Sequence, residues 1–192
     1  MDIFLIAMIS YLMGSIPFGF ILTKIFLKKD IREIGSGNIG ATNALRAGNK
    51  AIGYSTLVLD ILKAVVPVLY IKIFFQDFIY IAALCTFLGH VFPIWLKFKG
   101  GKGVATYIGI LFTINIYFGI VFIFSWLVTF FISKYSSLSS LVGTASVPIY
   151  LLILSQFDQV FFFTIIFILV IFTHRENIKR LKNNEETKTK IY

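Results

Sequence analysis

The chain has 192 residues, 58% of them hydrophobic and only 14% charged, with a mean hydropathy of +0.88, which excludes an ordinary soluble domain and makes lipid the solvent for most of it. A net charge of +9 invites a nucleic-acid reading, but the basic residues cluster between long apolar runs, as in loops retained on the cytoplasmic side of a membrane, so no nucleic-acid partner is expected. The single cysteine, Cys85, lies inside an apolar run and offers neither a disulfide framework nor a metal cluster, so no metal and no cofactor are expected.

The first apolar run starts at Ile3 with no Lys or Arg before it, and Lys24, Lys28, Lys29 and Arg32 follow. A cleavable signal peptide has the opposite charge order, so this run reads as a retained helix with its N-terminus outside. Further runs cover residues 52–75, 78–96, 104–132, 138–154 and 160–173. As one helix, the run 104–132 would be about 44 Å long against roughly 30 Å of hydrocarbon; a hairpin turning near Asn115 would give two short spans. With the hairpin, the basic segments 24–50, 97–102, Lys134 and 175–190 share one side, while the opposite loops hold Asp2, Asp77 and Asp158 and no basic residue. A single helix destroys that asymmetry. The sequence therefore predicts an all-α integral membrane protein of seven transmembrane helices, N-terminus outside and C-terminus cytoplasmic, in one polytopic domain over 1–192.

Four polar segments fall on the basic side. The first runs Gly35-Ser-Gly-Asn-Ile-Gly-Ala-Thr-Asn-Ala-Leu-Arg46. Its glycines, Gly40 included, allow close backbone approach to a ligand, and Ser36, Asn38, Thr42, Asn43 and Arg46 supply hydrogen-bonding groups suited to an anion; a flexible polar connector is the alternative. In the second, Gly100, Gly101 and Gly103 surround Lys102 directly before a helix, presenting N–H groups, a helix dipole and an ammonium to a phosphate. The Walker A spacing is absent. Pro93 is expected to bend or end the third helix, leaving His90 either facing a cavity or buried against a neighbouring helix. The third segment, residues 134–141, carries serines where the sixth helix should begin, and helix capping accounts for at least one of them. If the bundle brings the second, fourth and sixth helices together, three positive dipole ends surround one site.

In the fourth segment, His174 and Asn177 share a face if the last helix continues, and the basic tail around them equally suits a lipid-headgroup anchor. Within the second span, Asp60 and Lys63 stand three residues apart, either as a structural ion pair or with a direct role. The rival functions are a small anion transporter and a membrane scaffold. Against the first, Asp60 and Lys63 are the only charges deep in the bundle; the second leaves the glycine and asparagine density of the loops unexplained.

Taken in order, Gly14-Ser-Ile-Pro-Phe-Gly19, Gly35 to Arg46, Gly89-His-Val-Phe-Pro93, Phe98-Lys-Gly-Gly-Lys-Gly-Val-Ala-Thr106, Ser137-Leu-Ser-Ser140 and His174-Arg-Glu-Asn-Ile-Lys-Arg-Leu181 resemble the bacterial acyl-phosphate-dependent glycerol-3-phosphate acyltransferases of the PlsY type, over nearly the whole chain. The resemblance implies a seven-helix enzyme of the bacterial inner membrane, its site facing the cytoplasm, that moves a fatty acyl group from acyl phosphate to the 1-hydroxyl of sn-glycerol 3-phosphate. Lysophosphatidic acid and phosphate would leave. It implies Ser36, Arg46, Lys102, His174 and Asn177 as catalytic residues, and Asn38, Gly40, Thr42, Asn43, His90, Gly100, Gly101, Gly103 and Ser139 as substrate-binding residues. Membrane lipids are the other expected partners, and a monomer is the expected state. One departure is in the tail: family members carry a Gly shortly before a Glu, whereas Asn183 and Asn184 precede Glu185 here.

Overall fold

A computed structural model of the chain describes residues 2–46 and 49–189; Lys190, the last residue of the basic tail, lies outside them. Among the described residues there are ten α-helices and no strand. The sequence reads as one domain, and the chain packs as two compact units, Met1–Ile114 and Asn115–Tyr192.

In the first unit, α1 (Ile3–Gly14) and α2 (Phe18–Leu27) replace the single first helix expected from the sequence. Pro17 has no N–H and its ring conflicts with a continuing helix, so the chain breaks over residues 15–17. The short α3 (Ala41–Arg46) lies in the first loop, and α4 (Lys50–Phe74) follows, its N-terminus capped by the Asn49 side chain, which accepts from the Ile52 N–H at 3.1 Å. Next, α5 (Ile79–Val91) ends just before Pro93, as the sequence predicts, and α6 (Val104–Ile114) completes the unit. Small residues let the helices touch backbone to backbone. A Cβ on Gly14 would run into the Thr86 carbonyl, and one on Gly89 into the Tyr11 carbonyl, so α1 and α5 cross on a pair of glycines. The Lys72 ammonium on α4 donates to the carbonyls of Thr113 and Ile114 at 2.7 and 3.1 Å, satisfying the C-terminal end of α6.

Asn115 divides the long apolar run where the sequence places a turn: it is extended, and its side chain accepts from the Tyr117 N–H at 2.9 Å to cap α7 (Ile116–Ser133). The second unit continues with α8 (Ser136–Ile153), α9 (Phe157–Thr173) and α10 (Arg175–Lys182). Edge-on aromatic packing of Phe118 on Phe163, centroids 5.5 Å apart, fixes part of its core.

By length and composition, four stretches among the described residues can cross a membrane: residues 3–27 across the α1–α2 break, 76–96, α7 and α8. The pair α9 and α10, bent by 63°, makes a fifth when counted as one broken span. With 11 residues, α6 is only about 16 Å long. At 25 residues, α4 has the length but carries Asp60, Lys63 and Lys72.

Candidate active site

The first loop is organised by one buried amide. Asn43, 2% exposed, donates through Nδ2 to the carbonyls of Ile31, Ile34 and Asn38 at 3.0, 2.8 and 2.8 Å, and its Oδ1 accepts from the Ser36 N–H at 2.9 Å. Both amide hydrogens and one of the two lone pairs on Oδ1 are spent on the loop. Asn43 therefore shapes the segment, a structural part that the sequence did not suggest for it. Gly35 and Gly37 supply the left-handed turns, φ +55 and +69, that wrap the chain around it. A Cβ on Gly35 would strike Asn43 Oδ1 and would lie 3.6 Å from Arg46 Cδ, so the arginine stem folds back over the loop. The Asn38 side chain accepts from the Gly40 N–H at 2.9 Å. Ser36, Thr42 and Arg46 are exposed.

Arg32 is spent elsewhere. Its guanidinium grips Asp30, with Nη2 2.6 Å from Oδ2, and this hydrogen-bonded cation holds the Asp30 carboxyl at about 2.

The second segment folds back on the end of α5. The Gly100 N–H donates to the Val91 carbonyl at 3.0 Å and the Gly101 N–H to the His90 carbonyl at 3.1 Å. These two amides, which the sequence offers to a phosphate, are bonded to the end of α5. Their glycine identity follows from packing: a Cβ on Gly100 would meet the His90 and Val91 carbonyls, and one on Gly101 the His90 ring. Gly103, at φ +86, sits against the Phe87 ring. His90 is 3% exposed, with Nδ1 3.8 Å from Asp60 Oδ1, so its buried alternative is the one the structure adopts. Lys102 is half-buried directly before α6.

These two segments are brought together. Ile31 just before the first, Ile39 and Ala44 within it, Ile52 from α4, and Leu96 from the second form one buried apolar cluster. Leu96 stands four residues before Gly100, so burial of a few aliphatic side chains sets both polar loops on a common base.

In the second unit, His174 lies at the corner between α9 and α10, 2% exposed. Its Nδ1 is 2.9 Å from the Val170 carbonyl. A carbonyl only accepts, so Nδ1 is the donor in this contact. Asn177, 4% exposed, donates to Glu186 Oε1 at 2.7 Å; Ser137 Oγ donates to the same oxygen at 2.7 Å, and Arg180 Nε to Oε2 at 2.7 Å. Burial opposes ionisation of Glu186, but the donors from Ser137, Arg180 and Asn177 outweigh it and hold the carboxyl below its ordinary value. Sequence reasoning missed this clamp because it weighed Glu185, which is exposed. Asn184 adopts the left-handed conformation, φ +58, and so takes the place of the expected glycine. Ser139 is fully buried and its hydroxyl donates to the Tyr135 carbonyl at 2.8 Å. The helix N-cap here is Tyr135, with no side-chain bond, so the serines back-bond along α8 or reach Glu186 instead of capping it.

Residues 4–184 match the protein family described as glycerol-3-phosphate acyltransferase. A glycerol-3-phosphate acyltransferase of Pelagibacter ubique is 71% identical over all of both chains, and one of Bartonella henselae is 48% identical over 96% of this chain and 90% of that one. Two crystal structures of PlsY, an integral membrane glycerol 3-phosphate acyltransferase, superpose on 98% of the chain at 35% identity. The glycerol 3-phosphate form gives a TM-score of 0.93 and covers 96% of that chain; the lysophosphatidic acid form gives 0.88 and covers 95%.

Proposed function

We propose, for a chain that belongs to the glycerol-3-phosphate acyltransferase family, that it moves a fatty acyl group from acyl phosphate to the 1-hydroxyl of sn-glycerol 3-phosphate, releasing lysophosphatidic acid and phosphate. The observation that carries this reading is the common seat of two loops, one bearing Arg46 and the other Lys102, on the Ile39 and Leu96 cluster. Both substrates carry phosphate, and two cations on glycine-rich backbone suit two phosphate groups. The related PlsY crystallised with glycerol 3-phosphate and with lysophosphatidic acid, one substrate and one product of this reaction.

In the first unit, Arg46 and Lys102 hold phosphate charge, while Ser36, Asn38 and Thr42 orient glycerol phosphate through hydrogen bonds. Donors to the acyl phosphate come from the Lys102 ammonium and the first turn of α6, where N–H groups lack intrahelical partners. Gly100, Gly101 and Gly103 allow that turn to lie close to α5. The attacking hydroxyl gives its proton to a phosphate oxygen of the substrate; in the second unit, Asn177, held by Glu186, fixes the corner on which His174 sits. The hydroxyl oxygen bonds to the acyl carbon, the bond from that carbon to the phosphate oxygen breaks, and phosphate leaves. Acyl phosphate is already activated, so transfer is direct, without an acyl-enzyme. The positive-inside pattern supports seven spans with the loops facing the cytoplasm of a bacterial inner membrane.

Purified protein in detergent, given acyl phosphate and glycerol 3-phosphate, is expected to release phosphate and form lysophosphatidic acid. Folded protein that shows no turnover but drives uptake into liposomes would instead be a transporter. A Lys102→Ala enzyme with normal kinetics would overturn the phosphate assignment, and a stable acylated serine after single-turnover mixing would overturn direct transfer.

A further inference from the structure

Thr56, Asp60 and Lys63 follow one another on α4 at spacings of four and three, hence on one face, and are 0%, 2% and 4% exposed. Lys63 Nζ lies 2.8 Å from Asp60 Oδ1. A buried pair of this kind is seldom the most stable choice, since apolar side chains of similar size often do as well, and in a span the charges add a cost of insertion. Their contacts lead in two directions.

Lys63 Nζ donates to the Ile16 carbonyl at 2.7 Å, inside the break between α1 and α2, and stands 5.9 Å from the centre of the Phe18 ring that starts α2. Pro17 offers no N–H in this stretch, so the lysine supplies a donor to backbone that no helix ladder serves. One residue further, Gly19 lets α2 press against the Ile39 carbonyl, and the Thr56 methyl lies 3.0 Å from the same spot. Ile39 stands between Asn38 and Gly40 in the first loop. In the other direction, Asp60 Oδ1 lies 3.8 Å from His90 Nδ1, too far for a hydrogen bond but close for charge to orient the ring. The His90 ring lies under Gly101, and its carbonyl accepts the Gly101 N–H.

We infer that Asp60 and Lys63 are positioning residues: one ion pair in the core of α4 holds the 35–46 loop, through Ile16, Gly19 and Ile39, in register with the 100–103 loop, through His90 and Gly101. The inference rests on the proposed function only in taking the two loops to hold the two substrates.

The test is the full-length double variant Asp60→Leu/Lys63→Met, which leaves no lone charge in the core, read first by amide hydrogen exchange without substrate. Exchange is expected to rise about tenfold or more at residues 35–46 and 98–103 while the unfolding temperature stays within a few degrees. The KM values for glycerol 3-phosphate and acyl phosphate are expected to rise together, also by about tenfold, toward the loss that a displaced substrate-positioning group produces. A folded double variant with wild-type exchange in both loops and wild-type KM values would overturn the inference. Should that variant not fold, Lys63→Arg keeps the pair but moves the donor away from Ile16. It should quicken exchange at 35–46 and leave 98–103 protected; unchanged exchange at 35–46 overturns the role of Lys63. Folded wild type that protects both loops yet releases no phosphate would fail the proposed reaction and leave the exchange comparison to judge the positioning role.

Discussion

The first loop and the C-terminal corner are built on the same plan with opposite chemistry. In the first, the neutral amide of Asn43 gathers three carbonyls and one N–H of its own segment. In the second, the ionised Glu186 gathers a hydroxyl from α8 and an amide and a guanidinium from α10. An amide offers both donors and acceptors and so can satisfy carbonyls and N–H groups alike, while a carboxylate offers acceptors alone and so can gather only donors, here those of three side chains. The amide hub is indifferent to pH and needs glycines to wrap around it. The carboxylate hub needs no special backbone close by, but it holds only while it is charged.

The strongest way to break the comparison is to remove the amide. Asn43→Ala takes the Nδ2 donor from the carbonyls of Ile31, Ile34 and Asn38, the first two of which keep a backbone N–H from Ile34 and Gly37, and takes the acceptor from the Ser36 N–H, a loss of about 1–3 kcal/mol. Displacement of Ser36 and Arg46 by about 1 Å is enough to lower kcat/KM by roughly a hundredfold, measured as phosphate release. Gly35→Ala should do the same from outside the hub, because its Cβ would strike Asn43 Oδ1 at a left-handed position. An Asn43→Ala enzyme with unchanged kcat/KM would detach this loop from the site.

Removing the carboxylate should cost less. Glu186→Ala loses charge-assisted bonds worth about 1.5–3 kcal/mol, whereas Glu185→Ala, at an exposed position, should stay within about 0.5 kcal/mol; thermal unfolding in detergent reads both. Equal effects would show that Glu186 is no hub. The two hubs also part with pH. The folded-state value of Glu186 is depressed, so its stabilising contribution is complete above the ordinary glutamate value and is lost as pH falls through the lower folded one. Acid should therefore release the 175–189 corner, seen as faster amide exchange there, before it touches the 35–46 loop. Glu186→Gln should abolish that difference.

What the sequence made legible follows from the same contrast. Apolar runs and turn residues report local preference, so the break at Asn115 and the end of α5 before Pro93 were visible in it. The first-span break was not predicted, although Pro17 signals it, because a continuous apolar run hides a proline that a neighbouring lysine compensates. The polar segments were legible as loops, but which of their groups are bonded to their own backbone was not. Whether an Asn or a Gly serves a ligand or its own loop depends on which groups stand opposite, as the amides of Asn43, Gly100 and Gly101 show. The Glu186 clamp joins residues 49 positions apart in sequence, a pairing that no local pattern encodes.

The smallest expected effect sharpens the comparison at the one place where the carboxylate hub does lean on backbone. Asn184, at φ +58, ends α10 two residues before Glu186, and the Glu185 N–H returns to the Arg180 carbonyl at 2.8 Å. Asparagine tolerates that conformation and glycine adopts it freely, while a β-branched residue loses about 1–2 kcal/mol there. Asn184→Gly should thus leave the unfolding temperature nearly unchanged or raise it slightly, and Asn184→Val should lower it. The Val variant should also shift the acid release of the corner to higher pH, because a displaced Glu186 receives fewer donors and its carboxyl returns toward the ordinary value. If Asn184→Val melted lower but kept the wild-type pH of release, the turn would stabilise α10 without aiming the carboxylate, and the hub would stand on its side-chain donors alone.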